Sequence, residues 1–340
     1  MTALDTQALQ AYLRAQGLGG DGLTAQALSG GQSNPTFRIE TRGQRYVLRK
    51  QPPGPLLPGA HAIEREYRVM QALVATEVPV PRVLAYCEDA SVLGTPFYLM
   101  DFVEGRVLQD QSLPGMTASE RRAIYGDMNR VIAALHAVDY TSVGLESFGK
   151  PGNYVGRQIS RWSKQCRESS LPLSPDMCRL MDWLPDHVPA GDETTLVHGD
   201  FRLDNLVFHP TEPRVVAVLD WELSTLGHPL ADFAYHCMSW HIPATLWRGI
   251  AGLDLAALGL PSEQAYVRQY TQATGRAVAE TWNFYMAYNL FRMAAILHGI
   301  AQRARDGNAA AANAAETGAK AAPLAAIGWQ CAQRHQAQHP

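Results

Sequence analysis

No excess of positive charge runs through this sequence: 29 Lys and Arg stand against 32 Asp and Glu, a formal net charge of −3. Neither nucleic acid nor an anionic membrane surface is therefore expected as a partner. Paired cysteines are missing too. Cys87, Cys166, Cys178, Cys237 and Cys331 are odd in number, scattered, and free of any C-x-x-C spacing, which argues against a disulfide framework and for reduced thiols in a cytoplasmic setting. The opening stretch MTALDTQALQAYLRAQG has no apolar signal core and alternates at helical spacing instead. The longest apolar stretch, NFYMAYNLFRMAAILHGI, is interrupted by Arg292 and reads as a buried helix, not a membrane span. Neither H-E-x-x-H nor H-x-H occurs, so His209, His228 and His236 are expected as surface or core residues, not metal ligands. No internal repeat is visible.

What the chain does have is enough apolar residue, 46% of 340 positions, to build one large or two modest globular units. TFRIE and RYVLR alternate with period two and are joined by TRGQ, which predicts a β-hairpin. SGGQSN, residues 29–34, precedes it as a glycine-bearing turn. AIEREYRVMQALVA has helical spacing through Ile63, Tyr67, Met70, Leu73 and Val74, and VPVPRVLAYCED and GTPFYLMDFVEG supply two more strand-like runs. From about residue 105 long helical patterns take over, among them ASERRAIYGDMNRVIAALHAVD, YVGRQISRWSKQCRESS and DMCRLMDWLPDHV. The Ala-rich NAAAANAAETGAKAAPLAA reads as a loop running into a final helix or as solvated low-complexity filler.

One strand-rich island, TTLVHGDFRLDNLVFHPTEPRVVAVLDWE, interrupts the helices. Within it HGDFRLDN, residues 198–205, sits between two apolar segments, the setting in which a rigid scaffold presents a reactive loop. Asp200 and Asn205 are followed by Asp220 fifteen residues after the Asn, across a second hairpin. Phosphoryl transfer needs a carboxylate to orient the attacking hydroxyl and oxygen ligands for a Mg²⁺ that bridges the phosphates. Asp200 suits the first task, Asn205 and Asp220 the second, and Arg202 can neutralise charge on the transferred group. His198 is expected to brace the loop. A competing reading is a metal-dependent hydrolase built on His198, Asp200 and Asp220, which requires a transition metal and no ATP affinity.

The Asp-to-Asn spacing of five is that of the protein-kinase catalytic loop. With LVHGDFRLDNLVF and VLDWE, the chain resembles the aminoglycoside phosphotransferase and choline kinase-like family, whose loop reads H-G-D-x-x-x-x-N. HGDFRLDN, LDWELSTLGHPLADFAY and YVLRKQPPG are similar to the phosphotransferase domain associated with acyl-CoA dehydrogenases. The resemblance runs over most of the chain. It implies an α+β, bilobal protein-kinase-like fold, with residues 1–103 a small β-rich, nucleotide-clamping N-lobe and 104–340 a mostly helical C-lobe carrying catalysis and the acceptor pocket. It implies ATP and Mg²⁺ as cofactors, Asp200 and Arg202 as catalytic residues, and Asn205 and Asp220 as metal ligands. Ser33 and Asn34 fall in the loop over the phosphates, and the backbone of Asp101 and Val103 in the adenine-holding segment. Glu66 matches the orienting helix Glu. The phosphate-binding position falls on Arg49, where most relatives have Lys, or on Lys50 if the register slips by one; strand alternation sets Val47 and Arg49 on one face, Leu48 and Lys50 on the other. Asp232 is expected to anchor the loop or cap a helix.

The expected activity is transfer of the ATP γ-phosphate to a hydroxyl of a small metabolite. No A-P-E segment follows Asp220, which argues against a protein substrate. YVGRQISRWSKQCR presents Arg157, Arg161 and Lys164 on one helical face, a solvated surface or the wall of a site for an anionic acceptor. The acyl-CoA dehydrogenase-associated relatives imply a hydroxyacyl-CoA or hydroxy acid. An aminoglycoside or choline-type kinase, and a nucleotide-binding regulator without catalysis, are the alternatives.

Overall fold

A two-residue turn starts the larger sheet. The computed structural model, which describes residues 4–28, 34–54, 62–308 and 313–339, pairs Thr41 with Gln44 and leaves Arg42 and Gly43 as the turn. Gly43 has φ +85°, a conformation that costs glycine little. The strands in chain order are β1 (Thr24–Ala27), β2 (Thr36–Thr41), β3 (Gln44–Lys50), β4 (Val83–Cys87), β5 (Phe97–Asp101), β6 (Arg106–Val107), β7 (Thr195–Val197), β8 (Leu206–Phe208), β9 (Val215–Val218) and β10 (Thr225–Gly227). Contacts group the chain into two units: Met1–Val107 with Thr141–Leu145 and Asn205–Ser224, and Leu108–Tyr140 with Glu146–Asp204 and Thr225–Pro340.

The first unit holds an antiparallel sheet in the order β1-β2-β3-β5-β4. Its helices are α1 (Thr6–Ala15), α2 (Ile63–Leu73) and the single turn α3 (Ala90–Leu93). Leu9 and Leu13 of α1 form one core with Ile39, Leu48, Phe97 and Leu99. Alternation turns Val47 and Arg49 to the other face, and α2 packs against β4 and β5. A second sheet, β6-β8-β9, belongs to the same unit.

The second unit is helical: α4 (Ala118–His136), α5 (Tyr154–Glu168), α6 (Pro175–Trp183), α7 (Pro229–Cys237), α8 (Leu255–Leu258), α9 (Glu263–Thr274), α10 (Trp282–Arg305), α11 (Ala314–Ala319) and α12 (Ala321–Gln338). Start signals are explicit. Thr117 and Glu120 form a reciprocal capping box before α4, and Ser174 caps α6 ahead of Pro175. α10 is buried along most of its length and packs on α5, α7, α11 and α12, so NFYMAYNLFRMAAILHGI is a core helix. Among the described residues no helix is long and apolar enough to cross a membrane.

One expectation changes. The Ala-rich segment forms α11 and α12 from Ala314 onward, because alanine has the highest helix propensity; residues 309–312 lie outside the described residues. The two apolar segments around HGDFRLDN are strands, but of different sheets: β7 pairs with β10, whereas β8 pairs with β6 and β9. Of SGGQSN, only Asn34 is among the described residues.

Candidate functional site

The HGD loop follows β7 in the helical unit and is held by α7. Asp232, four per cent exposed, accepts the N–H of His198 through Oδ2 and that of Gly199 through Oδ1, each at 2.8 Å. His136 Nε2 lies 3.2 Å from the same Oδ2, and His136 Nδ1 meets the Tyr270 hydroxyl at 2.7 Å. Burial by itself would raise the Asp232 carboxyl, but the hydrogen bond and charge of His136, with His198 beside it, bring its pKa below the ordinary aspartate value. Of the two roles open to Asp232, anchoring the loop is the one seen. His198 Nδ1 accepts the Asp200 N–H at 3.2 Å, the bracing contact expected of it.

Asp200 Oδ1 accepts a hydrogen bond from the Tyr235 hydroxyl at 2.5 Å, and Arg202 Nε lies 2.9 Å from the same oxygen. Arg202 Nη1 also approaches Asp204 Oδ2 at 3.3 Å, and Arg248 Nη1 approaches it at 3.0 Å. Arg202, read from the sequence as facing a phosphoryl group, thus sits in a run of alternating charges. Arg292, buried on α10, donates to the Gly199 carbonyl at 3.0 Å and lies over the Tyr235 ring at 5.1 Å. Tyr235, Arg292 and His136 were not among the expected site residues. Only the Asp232-x-x-Tyr235 spacing, one helical turn, offered a sequence signal for Tyr235.

Asn205 and Asp220 lie in the sheet-based unit. β8 and β9 pair Leu206 with Val218, and the Leu219 N–H donates to the Asn205 carbonyl at 2.8 Å, which aligns the Asn with the residue before Asp220. Asp220 has φ +63°, a left-handed conformation uncommon for any residue but glycine and found where a side chain must be aimed. Its Oδ1 accepts from Arg49 Nη2 at 2.9 Å. Arg49 Nε is 3.0 Å from Glu66 Oε2, and Nη2 is 3.6 Å from Glu222 Oε2. Glu66, one per cent exposed, also accepts from Asn34 Nδ2 at 2.8 Å and the Tyr98 hydroxyl at 3.0 Å. Lys50 points elsewhere, to the Leu93 carbonyl at 2.6 Å. Glu222 and Tyr98 join this cluster unannounced by the sequence.

One guanidinium therefore faces three carboxylates. Burial pushes the Glu66 carboxyl up to about 7; Arg49 and the Tyr98 hydroxyl pull it down, while Asp220 and Glu222 add to the rise. Arg49 stays charged: burial opposes its charge, but Glu66 and the other acids outweigh that and raise its pKa. An amide oxygen and a carboxylate are a hard-oxygen donor pair suited to Mg²⁺, which takes one or two protein ligands and completes its shell with phosphates and water. Among the described residues no group of three or more His, Cys, Asp or Glu could hold a metal by itself, and His198 Nδ1, one of the atoms the hydrolase reading would use, accepts the Asp200 N–H. Asp101 ends β5, its N–H donating to the Arg82 carbonyl at 2.9 Å; Val103 follows, half-buried. Ser33 lies outside the described residues.

Two of the histidines that lack a metal pattern meet buried tyrosines. His228 Nε2 meets the Tyr285 hydroxyl at 3.1 Å, and His236 Nε2 meets that of Tyr266 at 2.7 Å. Burial pushes both imidazoles down to about 4 from an ordinary 6.5, so both are neutral in the fold. Their contribution to stability is complete above pH 6.5 and is lost as pH falls toward about 4, where the unfolded chain binds protons that the native state refuses. Thermal unfolding should show Tm falling across that window, and His236→Gln, which keeps a partner for Tyr266, should flatten the fall. A Tm constant between these pH values would mean that neither ring is held neutral.

Residues 24–285 match the family described as "Phosphotransferase enzyme family". Curated relatives include acyl-CoA dehydrogenase family member 10 of Mus musculus, 49% identical over 306 residues that make up 89% of this chain and 29% of that protein. Acyl-CoA dehydrogenase family member 11 of Homo sapiens is 41% identical over 338 residues, 97% of this chain and 43% of that protein. The chain thus spans less than half the length of these relatives. Among solved structures, a Ralstonia eutropha protein provisionally named an aminoglycoside phosphotransferase is 56% identical and superposes with a TM-score of 0.91 over 98% of this chain and 99% of its own. Aminoglycoside phosphotransferase APH(4)-Ia, in ternary complex with AMP-PNP and hygromycin B, shares the fold at 17% identity, with a TM-score of 0.63 over 94% of this chain and 98% of its own. The antiparallel sheet unit and the helical unit are those of the α+β protein-kinase-like fold. By the extent of these matches the chain belongs to the phosphotransferase enzyme family.

Proposed function

We propose that the protein transfers the γ-phosphate of ATP to a hydroxyl of an anionic small molecule, a hydroxyacyl-CoA or a free hydroxy acid, in the cytoplasm. The observation that supports an anionic acceptor is a cavity of about 700 Å³ in the helical unit, lined by Arg157, Arg161 and Lys164 of α5 together with Ile159, Pro185 and Val188. None of its described lining residues is acidic. Arg157 is steadied there by the Lys150 carbonyl at 2.7 Å, so its guanidinium is preorganised and loses little freedom on meeting an anion. A cationic aminoglycoside or choline would meet like charge. No nucleic acid or membrane partner is needed.

In this reading residues 1–103 clamp the nucleotide and 104–340 carry catalysis and the acceptor. Arg49, oriented by Glu66, holds the α- and β-phosphates; Ser33 and Asn34 cover them, and the backbone of Asp101 and Val103 receives adenine. Asn205 and Asp220 hold Mg²⁺, which when bound neutralises charge on the phosphates. Asp200 orients the acceptor hydroxyl and takes its proton as that oxygen bonds to the γ-phosphorus and the bond to the ADP oxygen breaks. Arg202 leaves Asp200 to face the transferred group. The product is a phosphate ester, and its phosphate can leave in a later elimination.

ADP release assayed with 4-hydroxyacyl-CoA, free hydroxy acids, choline and kanamycin tests this. Turnover is expected with the anionic acceptors, and Arg157→Glu with Arg161→Glu should abolish it; turnover of a cation, or indifference to the double change, refutes the acceptor class. Nucleotide binding without turnover of any acceptor would favour the regulator. Arg49→Ala should raise the KM for ATP more than Lys50→Ala, since Arg49 is the side chain that meets Glu66 and Asp220. The opposite order in steady-state kinetics would give the phosphate role to Lys50.

A further inference from the structure

α7 grips three consecutive residues of the loop from two positions one turn apart. Asp232 takes the backbone N–H groups of His198 and Gly199, and Tyr235 reaches the side chain of Asp200. We propose that Tyr235 is a positioning residue for phosphoryl transfer: its hydroxyl fixes Asp200 Oδ1 and thereby holds the carboxylate in the orientation that meets the acceptor hydroxyl. The inference rests on Asp200 being the base.

Three observations support it. Tyr235 is a donor with no competing protonation state near neutrality, because burial and then the facing Asp200 carboxylate push its hydroxyl pKa well above the ordinary tyrosine value. Its ring is covered by Arg292, which lies over it at 5.1 Å while also donating to the Gly199 carbonyl. Arg202, which also meets Oδ1, has a side chain 27% exposed and a second partner in Asp204; it can leave when an acceptor or phosphate arrives. Tyr235 is seven per cent exposed and stays. Tyr235 and Arg202 both meet Oδ1 before any substrate binds. Such preorganisation matters because a reacting group displaced by about 1 Å can lose roughly 10²-fold in rate.

A double-mutant cycle separates positioning from mere packing. Tyr235→Phe, which keeps the ring over Arg292, Asp200→Asn and the double variant are compared as full-length chains. ADP release is followed with 4-hydroxypentanoyl-CoA and, separately, with water alone as acceptor. Tyr235→Phe is expected to lower kcat roughly 10- to 100-fold with the KM for ATP and Tm near wild type, and to cost nothing further in the Asp200→Asn background. The same loss in both backgrounds, or an unchanged kcat, overturns the positioning role and leaves Asp200 as base intact. Wild-type transfer by Asp200→Asn itself overturns both.

Discussion

Asp200→Asn is expected to lower turnover by roughly 10²–10⁴-fold, the range for loss of a general base, while nucleotide affinity stays near wild type. The carboxamide is the same size and still offers an oxygen to the Tyr235 hydroxyl, so the loop held through His198 and Gly199 should keep its shape. What is lost is the ability to take a proton as the hydroxyl attacks. Arg202 also loses an ionic partner, but it keeps Asp204 at 3.3 Å, and Tm should move little. Initial-rate ADP release with calorimetric titration of an ATP analogue separates the two quantities. A variant that binds nucleotide and turns over at wild-type rate would move the base elsewhere.

Asp232→Ala should instead destabilise the helical unit and remove activity together. The carboxylate is buried and receives the N–H groups of His198 and Gly199 and the His136 imidazole. Deleting it strands three donors where water cannot replace the acceptor, a change that costs on the order of 3–5 kcal/mol when one partner of a buried charged network is removed. Asp232→Asn should cost less, since one oxygen remains, but its amide nitrogen would turn toward a donor. Urea unfolding with a parallel transfer assay checks this. Unchanged stability in Asp232→Ala would mean that other groups hold the loop, and the contrast with Asp200→Asn, which should lose rate without stability, identifies which residue acts chemically.

Much of the candidate site can be read along the chain because its spacings are covalent. HGDFRLDN puts Asp200 and Asn205 five residues apart, and the apolar runs on either side predict strands. TFRIE, RYVLR and the intervening glycine predict β2 and β3, and strand alternation separates Arg49 from Leu48 and Lys50. The long helices α4, α5 and α10 announce themselves by period and by caps. Arg292 is different. In sequence it is only a charge that interrupts an apolar stretch; in the fold it donates to the Gly199 carbonyl 93 residues away. The same holds for Tyr235, 35 residues from Asp200, and for Asp220, 171 residues from Arg49.

The amino-acid sequence alone determined the family and the elements that carry the HGD loop, since those depend on local order and on apolar periodicity of two or 3.6. The tertiary structure decided which of two adjacent basic residues meets Glu66, which sheets receive β7 and β8, and how Asp200 is held. Those outcomes follow from packing. α7 and α10 bury apolar faces over many residues, and the few polar groups drawn inside with them must find partners there or incur the cost of desolvation. Pairing of that kind is selected by the whole core, and no local spacing encodes it.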